Sequence, residues 1–280
     1  YWFPEDTADP VPLLVGLHSW SADYRQSDPG IEYLEECRKR GWAFIHPNFR
    51  GPNTNPNACG SEAALQDIRD AVSWMEDQTK IDLARVYAIG SSGGGHAALM
   101  AASRWPDIWA AVSAWVPPTD LSAWYGQTKS KELRYWKHLT QVCGGPPGES
   151  KSIDDEYKQR SPIYQLQRAK SIPIEIAAGI RDGHNGSVPV SHTLRAFDVL
   201  ACTNGFENRA IANEDIDEIV RTAKIPAELN HGSLSDPIYA KQVLFRRSAG
   251  PVRVTLFDGG HEILVPAAIA WVERHTKNRR

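Results

Sequence analysis

The sequence predicts an α/β fold with a mostly parallel central sheet, helices on both faces and two helical insertions. Three observations lead there. Short, continuously apolar runs at 12–18, 42–46, 85–89, 109–115, 172–178 and 252–257 read as strands buried on both faces. Segments with apolar residues at helical spacing lie between them, and that alternation is the pattern of a parallel sheet. It breaks twice, over about 116–171 and 204–250, where the chain leaves the sheet. We read the 280 residues as one domain carrying these two insertions.

Each element has a local cause. The strand at 12–18 rests on Leu13, Leu14 and Val15, and a loop with Asp23 and Tyr24 follows. A helix over 31–40 carries Ile31, Leu34 and Cys37 on one face and stops at Gly41. The strand at 42–46 is closed by Pro47 and a turn-rich run over 48–60. Ser61 is placed to cap a helix over 61–80, whose apolar stripe is Leu65, Ile68, Val72 and Met75. The strand at 85–89 runs through glycines into a helix over 94–104, and the strand at 109–115 comes next. The first insertion holds Trp124, Tyr125, Tyr135, Trp136 and a glycine- and proline-rich loop at 143–148. A helix over 188–200 follows the strand at 172–178. The second insertion is polar and helix-rich around 214–224, and a strand at 252–257 and a helix over 264–275 finish the chain.

Composition removes several function classes. The formal net charge is −3, so there is no basic excess to bind nucleic acid. No apolar run approaches the roughly eighteen residues of a membrane span. The cysteines Cys37, Cys59, Cys143 and Cys202 show no C-x-x-C spacing, and no H-E-x-x-H occurs. No metal and no cofactor is expected. The four thiols suit either two disulfides or four buried free cysteines. The chain starts at Tyr1 rather than Met, which reads as a mature or trimmed form, with a secreted or periplasmic site favoured over the cytoplasm.

The chemistry-bearing pattern is Gly90-x-Ser92-x-Gly94, between a strand and a helix. That context suits a nucleophile on a tight strand-to-helix turn, where only small neighbours fit and helix N–H groups face the developing charge. The flanking glycines register on Ser92, not Ser91. No lysine follows the glycines, which tells against a phosphate-binding loop. A serine needs a base. Among nine histidines, His261 follows the last strand on two glycines that free the backbone to aim its ring. His96 lies inside a helix, His231 in the polar insertion and His275 near the terminus, so they are weaker candidates. Asp182, at the end of its strand, is preferred over Asp258 as the acid that orients the histidine. The order serine, aspartate, histidine is that of the α/β-hydrolase arrangement. For the oxyanion, one N–H is expected from Gly93 and the other from Trp20 or Ser19 in the loop after the first strand. His18 is read as a structural loop residue.

With these residues placed, the chain resembles the catalytic domain of the prolyl-oligopeptidase-like α/β-hydrolases, which include peptidases and esterases. The likeness runs over about 13–277. It rests on the Gly90–Gly94 turn, Leu17-His18-Ser19 before the oxyanion loop, and His46-Pro-Asn-Phe-Arg-Gly51. Arg160-Ser-Pro162, Val188-Pro189 and Gly260-His261 also fit. Ser19 departs from the glycine usual there. Asp182 is separated from Val188-Pro189 by five residues, more than the family's usual spacing.

The resemblance implies a serine hydrolase, and the leading expectation is cleavage of a small-molecule or polymer-borne carboxylic ester. A peptidase with the same triad is the alternative, and a non-catalytic binding protein on this scaffold is a third. Trp115, Trp124, Tyr125 and Trp136 either line an acyl or alcohol pocket or pack the first insertion onto the sheet. Arg50 either contacts substrate or makes a salt bridge in its turn.

Overall fold

The computed structural model describes residues 1–5, 7–229 and 234–277. Among them the strands β1 (Val11–Leu17), β2 (Ala43–Ile45), β3 (Ile81–Ser91), β4 (Ala111–Trp115), β5 (Ile174–Gly179), β6 (Val243–Ala249) and β7 (Val252–Phe257) form one sheet, ordered β2-β1-β3-β4-β5-β7-β6. All neighbours are parallel except β6 and β7, which are antiparallel. The sheet is that of an α/β-hydrolase. β1, β4 and β5 are buried along their whole length, which is why their sequences are apolar runs without alternation.

The sequential helices are α1 (Gly30–Arg40), α2 (Glu62–Gln78) and α3 (Gly93–Arg104). The chain moves outward from β1 to β2 and back across β1 to β3, so right-handed crossovers put α1 and α2 on opposite faces. A crevice therefore opens at the carboxyl ends of β1 and β3, the switch point where such sheets bind ligands. Local chemistry sets the helix ends. Gly41 closes α1 at φ 66°, and Ser61 Oγ accepts the Ala64 N–H at the start of α2. Helix α3 is buried throughout Gly93–Ser103.

The first insertion carries α4 (Leu121–Ser130), α5 (Tyr135–Cys143) and α6 (Lys151–Gln159). These build a second apolar cluster with Trp20, Cys59 and Val188, apart from the main core. Next come α7 (Ser191–Thr203), α8 (Asn213–Thr222) and α9 (Val265–Val272). The second insertion is shorter than its sequence suggests. The residues read as insertion up to 250 include β6, an edge strand that turns back antiparallel on β7. Its Arg246 and Arg247 are only partly covered, as an edge strand allows, and they hide the strand in a polar composition. All four cysteines are unpaired. No helix among the described residues is long and apolar enough to cross a membrane.

Two buried histidines tie stability to pH. Burial lowers the His96 pKa to about 4 and the His192 pKa to about 3. His96 Nε2 lies 2.7 Å from the Arg160 carbonyl, and its Nδ1 has no partner among the described residues. His192 Nδ1 accepts the N–H groups of Thr119 and Asp120 at 3.0 and 3.2 Å, so a proton there would face two donors. The unfolded rings bind protons below about pH 6.5 and the folded ones do not, so stability is lost as pH falls through that value. Between pH 6.5 and 5 the two rings together should cost roughly 3 kcal/mol. Urea midpoints measured across this range should fall steadily, and His96→Gln, which keeps a donor for the Arg160 carbonyl, should flatten the slope. A midpoint independent of pH would show that these rings are not held neutral.

Candidate active site

β3 ends and α3 begins at Ser92, which adopts φ 57° and ψ −119°. A residue with a Cβ is strained there, and only surrounding structure can hold it. Ser92 N–H donates to the Trp115 carbonyl on β4 at 2.8 Å, and the Ser92 carbonyl accepts His96 N–H at 2.9 Å. The glycine two residues on is demanded by close approach, since a Cβ on Gly94 would lie 2.1 Å from the Leu17 carbonyl oxygen. The turn thus packs directly against the end of β1.

The structure brings Ser92, His261 and Asp182 together. His261 Nε2 is 2.9 Å from Ser92 Oγ, and His261 Nδ1 is 2.7 Å from Asp182 Oδ2. The Asp182 carboxylate is fully buried, whereas the His261 ring retains 23% exposure toward the crevice. Asp182 Oδ1 accepts the N–H groups of Gly183 and Val188 at 2.9 and 3.2 Å. Both oxygens are therefore committed, one to the backbone and one to the ring. Base and acid meet because β5 and β7 are neighbours. A Cβ on Gly179, at the end of β5, would lie 2.3 Å from the Gly259 backbone, so the base-bearing loop reaches the acid across a glycine contact. Asp258 points elsewhere, pairing with Arg181 on the surface. His96 is buried in α3, His275 packs on Trp271, and His231 lies outside the described residues.

The N–H donors beside Ser92 also separate. Gly93 is the first residue of α3, and first-turn N–H groups have no intrahelical partner. A Cβ on Gly93 would lie 2.3 Å from Trp20 N, so these two backbones run against each other. Trp20 N–H has no acceptor among the described residues. Ser19 N–H, by contrast, donates to Gln26 Oε1 at 2.7 Å. Of the two loop candidates, Trp20 has the unused donor and Ser19 does not. His18 is buried, with Nε2 2.7 Å from the Asn48 carbonyl; burial lowers its pKa despite those backbone contacts.

A cavity of about 590 Å³ lies over Ser92 and His261, with walls from Trp20, Gln26, Asp28, Val116, Arg134 and Tyr135. The aromatic residues expected there are elsewhere. Trp115 is buried between Tyr239 and Phe257, and its Nε1 donates to Ser113 Oγ. Trp124 is wholly buried, edge-on to Trp20 at 4.6 Å, with Nε1 donating to the Ser187 carbonyl. Tyr125 is buried between Trp136 and Tyr157, and half-buried Trp136 packs on that cluster's edge. Packing is thus what the structure shows for these four. On α4, Trp124 packs onto Trp20 of the oxyanion loop, while Tyr125 packs within the insertion. Arg50 does not line the cavity either; it pairs with Asp67 at 2.8 Å in its turn. Nothing in the sequence marks Gln26, Arg134 or Tyr135 as cavity residues, and only the Ser19 side chain hints that its loop needs a partner. A larger groove, of about 910 Å³, lies at the opposite edge of the sheet near Pro10, Ile81, Trp109 and Lys277, and none of the Ser92 machinery reaches it.

Residues 35–217 match the prolyl oligopeptidase family, Peptidase_S9. Over 182 residues the chain is 28% identical to dipeptidyl aminopeptidase BIII of Pseudoxanthomonas mexicana, an overlap of 62% of this chain and 26% of that protein. The acylaminoacyl peptidase of Pyrococcus horikoshii superposes with a TM-score of 0.59 at 18% identity, over 72% of this chain and 32% of that one. A CE15 glucuronoyl esterase from Teredinibacter turnerae T7901 superposes with a TM-score of 0.59 at 15% identity, over 96% of this chain and 67% of that one. The chain spans only 26% and 32% of the length of these two peptidases. With a family match across most of its length, and with serine, histidine and aspartate in contact at the crevice, the chain belongs to the prolyl oligopeptidase family of α/β-hydrolase serine hydrolases.

Proposed function

We propose that the chain hydrolyses carboxylic esters through an acyl-enzyme on Ser92. The observation that carries this reading is the continuous contact from Ser92 Oγ through His261 to buried Asp182, beside two unused backbone N–H groups. Ser92 Oγ attacks the ester carbonyl carbon while His261 Nε2 takes its proton. Negative charge on the former carbonyl oxygen is received by the N–H groups of Gly93 and Trp20. Collapse of this adduct expels the alkoxide, which takes the proton from His261 and leaves as the alcohol. A water, deprotonated by the same ring, then attacks the acyl-serine and releases the acid. Asp182 keeps the Nδ1–H tautomer, so that Nε2 is the lone-pair side facing Ser92.

Support for an ester rather than an amide lies in the extent of the structural match. The similarity to the glucuronoyl esterase runs over 96% of the chain, and that to the acylaminoacyl peptidase over 72%. Arg134 and Tyr135, which wall the cavity, come from the first insertion. The second reading is a peptidase, favoured by the family match and by the named aminopeptidase relative. The triad serves both. Turnover of p-nitrophenyl acetate and longer p-nitrophenyl esters, set against aminoacyl p-nitroanilides, separates them. We expect kcat/KM for the best ester to exceed that for the best anilide by at least about 100-fold, beyond the difference in their spontaneous hydrolysis. Strong anilide turnover with negligible ester turnover makes the chain a peptidase.

A further inference from the structure

The residue before Trp20 carries a side chain, and the structure shows how the oxyanion loop absorbs it. Ser19 N–H donates to Gln26 Oε1 at 2.7 Å. Gln26 Nε2 in turn donates to Ser19 Oγ at 3.1 Å and to the Asp28 carbonyl at 2.5 Å. One amide therefore grips residue 19 at its backbone and its side chain, and anchors that grip to the far end of the same loop, just before α1. The Ser19 carbonyl belongs to the same peptide group as Trp20 N–H. It accepts Ala22 N–H at 3.1 Å and lies 3.1 Å from His18 Nδ1. Fixing both sides of residue 19 leaves the plane of the 19–20 peptide little freedom, and that plane carries the Trp20 N–H, whose nitrogen lies against Gly93.

We propose that Gln26 is the positioning residue of the oxyanion loop, acting through Ser19 to aim the Trp20 N–H. The inference rests on the reading of Ser92 as nucleophile. A primary amide offers an acceptor and a donor side by side on one rigid plane, and this site uses both. A carboxylate of the same shape keeps the acceptor but loses the donor to Ser19 Oγ and sets an oxygen against the Asp28 carbonyl. It also brings negative charge beside a developing oxyanion. Because an oxyanion donor acts on the tetrahedral adduct more than on bound substrate, its misplacement lowers kcat rather than raising KM.

The test compares the protein with Gln26→Ala, Gln26→Glu, Ser19→Ala and Ser92→Ala, on the best p-nitrophenyl ester and with an arylboronic acid that adds to serine as a tetrahedral adduct. Loss of a whole oxyanion donor costs about 100- to 1000-fold in kcat, so a misaimed one should cost roughly 10- to 100-fold. Gln26→Glu should fall at least as far as Gln26→Ala, and Ser19→Ala, which loses one arm only, a few-fold. KM should stay within about twofold, and the boronate should weaken by the same factor as kcat/KM. Should Gln26→Ala fail to fold, the isosteric Gln26→Glu and the milder Ser19→Ala still decide. Unchanged kcat, or a loss carried by KM with boronate affinity intact, overturns the positioning role. Turnover that survives in Ser92→Ala overturns the nucleophile reading instead, so the two failures are distinguishable.

Discussion

Ser92→Ala is expected to abolish ester turnover, lowering kcat/KM by at least about 10,000-fold, while the protein stays folded. The argument is local. His261 Nε2 has one partner across the crevice, Ser92 Oγ at 2.9 Å, and removing that oxygen leaves the base nothing to activate except water. Labelling by an organophosphonate should vanish in the same variant. The backbone supplies an independent check. At φ 57° and ψ −119°, serine and alanine alike place a Cβ in a conformation that costs on the order of 1–3 kcal/mol. Ser92→Gly should therefore be equally inactive yet more stable than Ser92→Ala by about 1 kcal/mol, after the extra backbone entropy of glycine is subtracted. Thermal or urea unfolding of the pair reads that difference. Turnover retained by either variant would falsify the nucleophile assignment.

Asp182→Asn should lower kcat by about 1,000- to 10,000-fold with little effect on KM or stability. The structure dictates how the amide must sit. The Oδ1 position receives two backbone N–H groups, from Gly183 and Val188, so the asparagine oxygen must occupy it. The NH₂ group then faces His261 Nδ1, 2.7 Å away in the present contact. Facing a donor, Nδ1 gives up its hydrogen, and the proton moves to Nε2. The nitrogen opposite Ser92 then carries a hydrogen instead of a lone pair, and the base is disabled by tautomer rather than by distance. Asp258→Asn is the control. Its carboxylate pairs with Arg181 on the surface, and kcat should stay within about twofold, as expected for an exposed pair. A tenfold or smaller loss at Asp182, with a larger one at Asp258, reverses the choice of acid.

Much of the site is legible because its constraints are local or follow chain order. Ser92 is marked by the glycines around it, and the clash awaiting a Cβ on Gly94 is the physical form of that mark. Asp182 and His261 are legible because each follows a strand of a parallel sheet, and the carboxyl ends of such strands converge on one edge. The aromatic residues are less so. Trp115, Trp124, Tyr125 and Trp136 carry the same large ring whether they face a substrate or a neighbour, and the facing is set by how α4 and α5 lie on the sheet. β6 is hidden because an edge strand interrupted by two partly covered arginines lacks the apolar run of a central one.

The sequence by itself determined which three residues meet at the crevice and the order in which the strands deliver them, because strand ends, glycine turns and chain order are written in neighbouring residues. Only the tertiary structure decided which loop N–H remains unused, which aromatics wall the cavity, and which groups Gln26 bonds. Ser19 and Trp20 are adjacent and equally able to donate. What separates them is a side chain seven residues from Ser19, folded back to take one N–H and leave the other open. Contacts of that kind depend on where a loop returns in space, and no spacing in the chain records it.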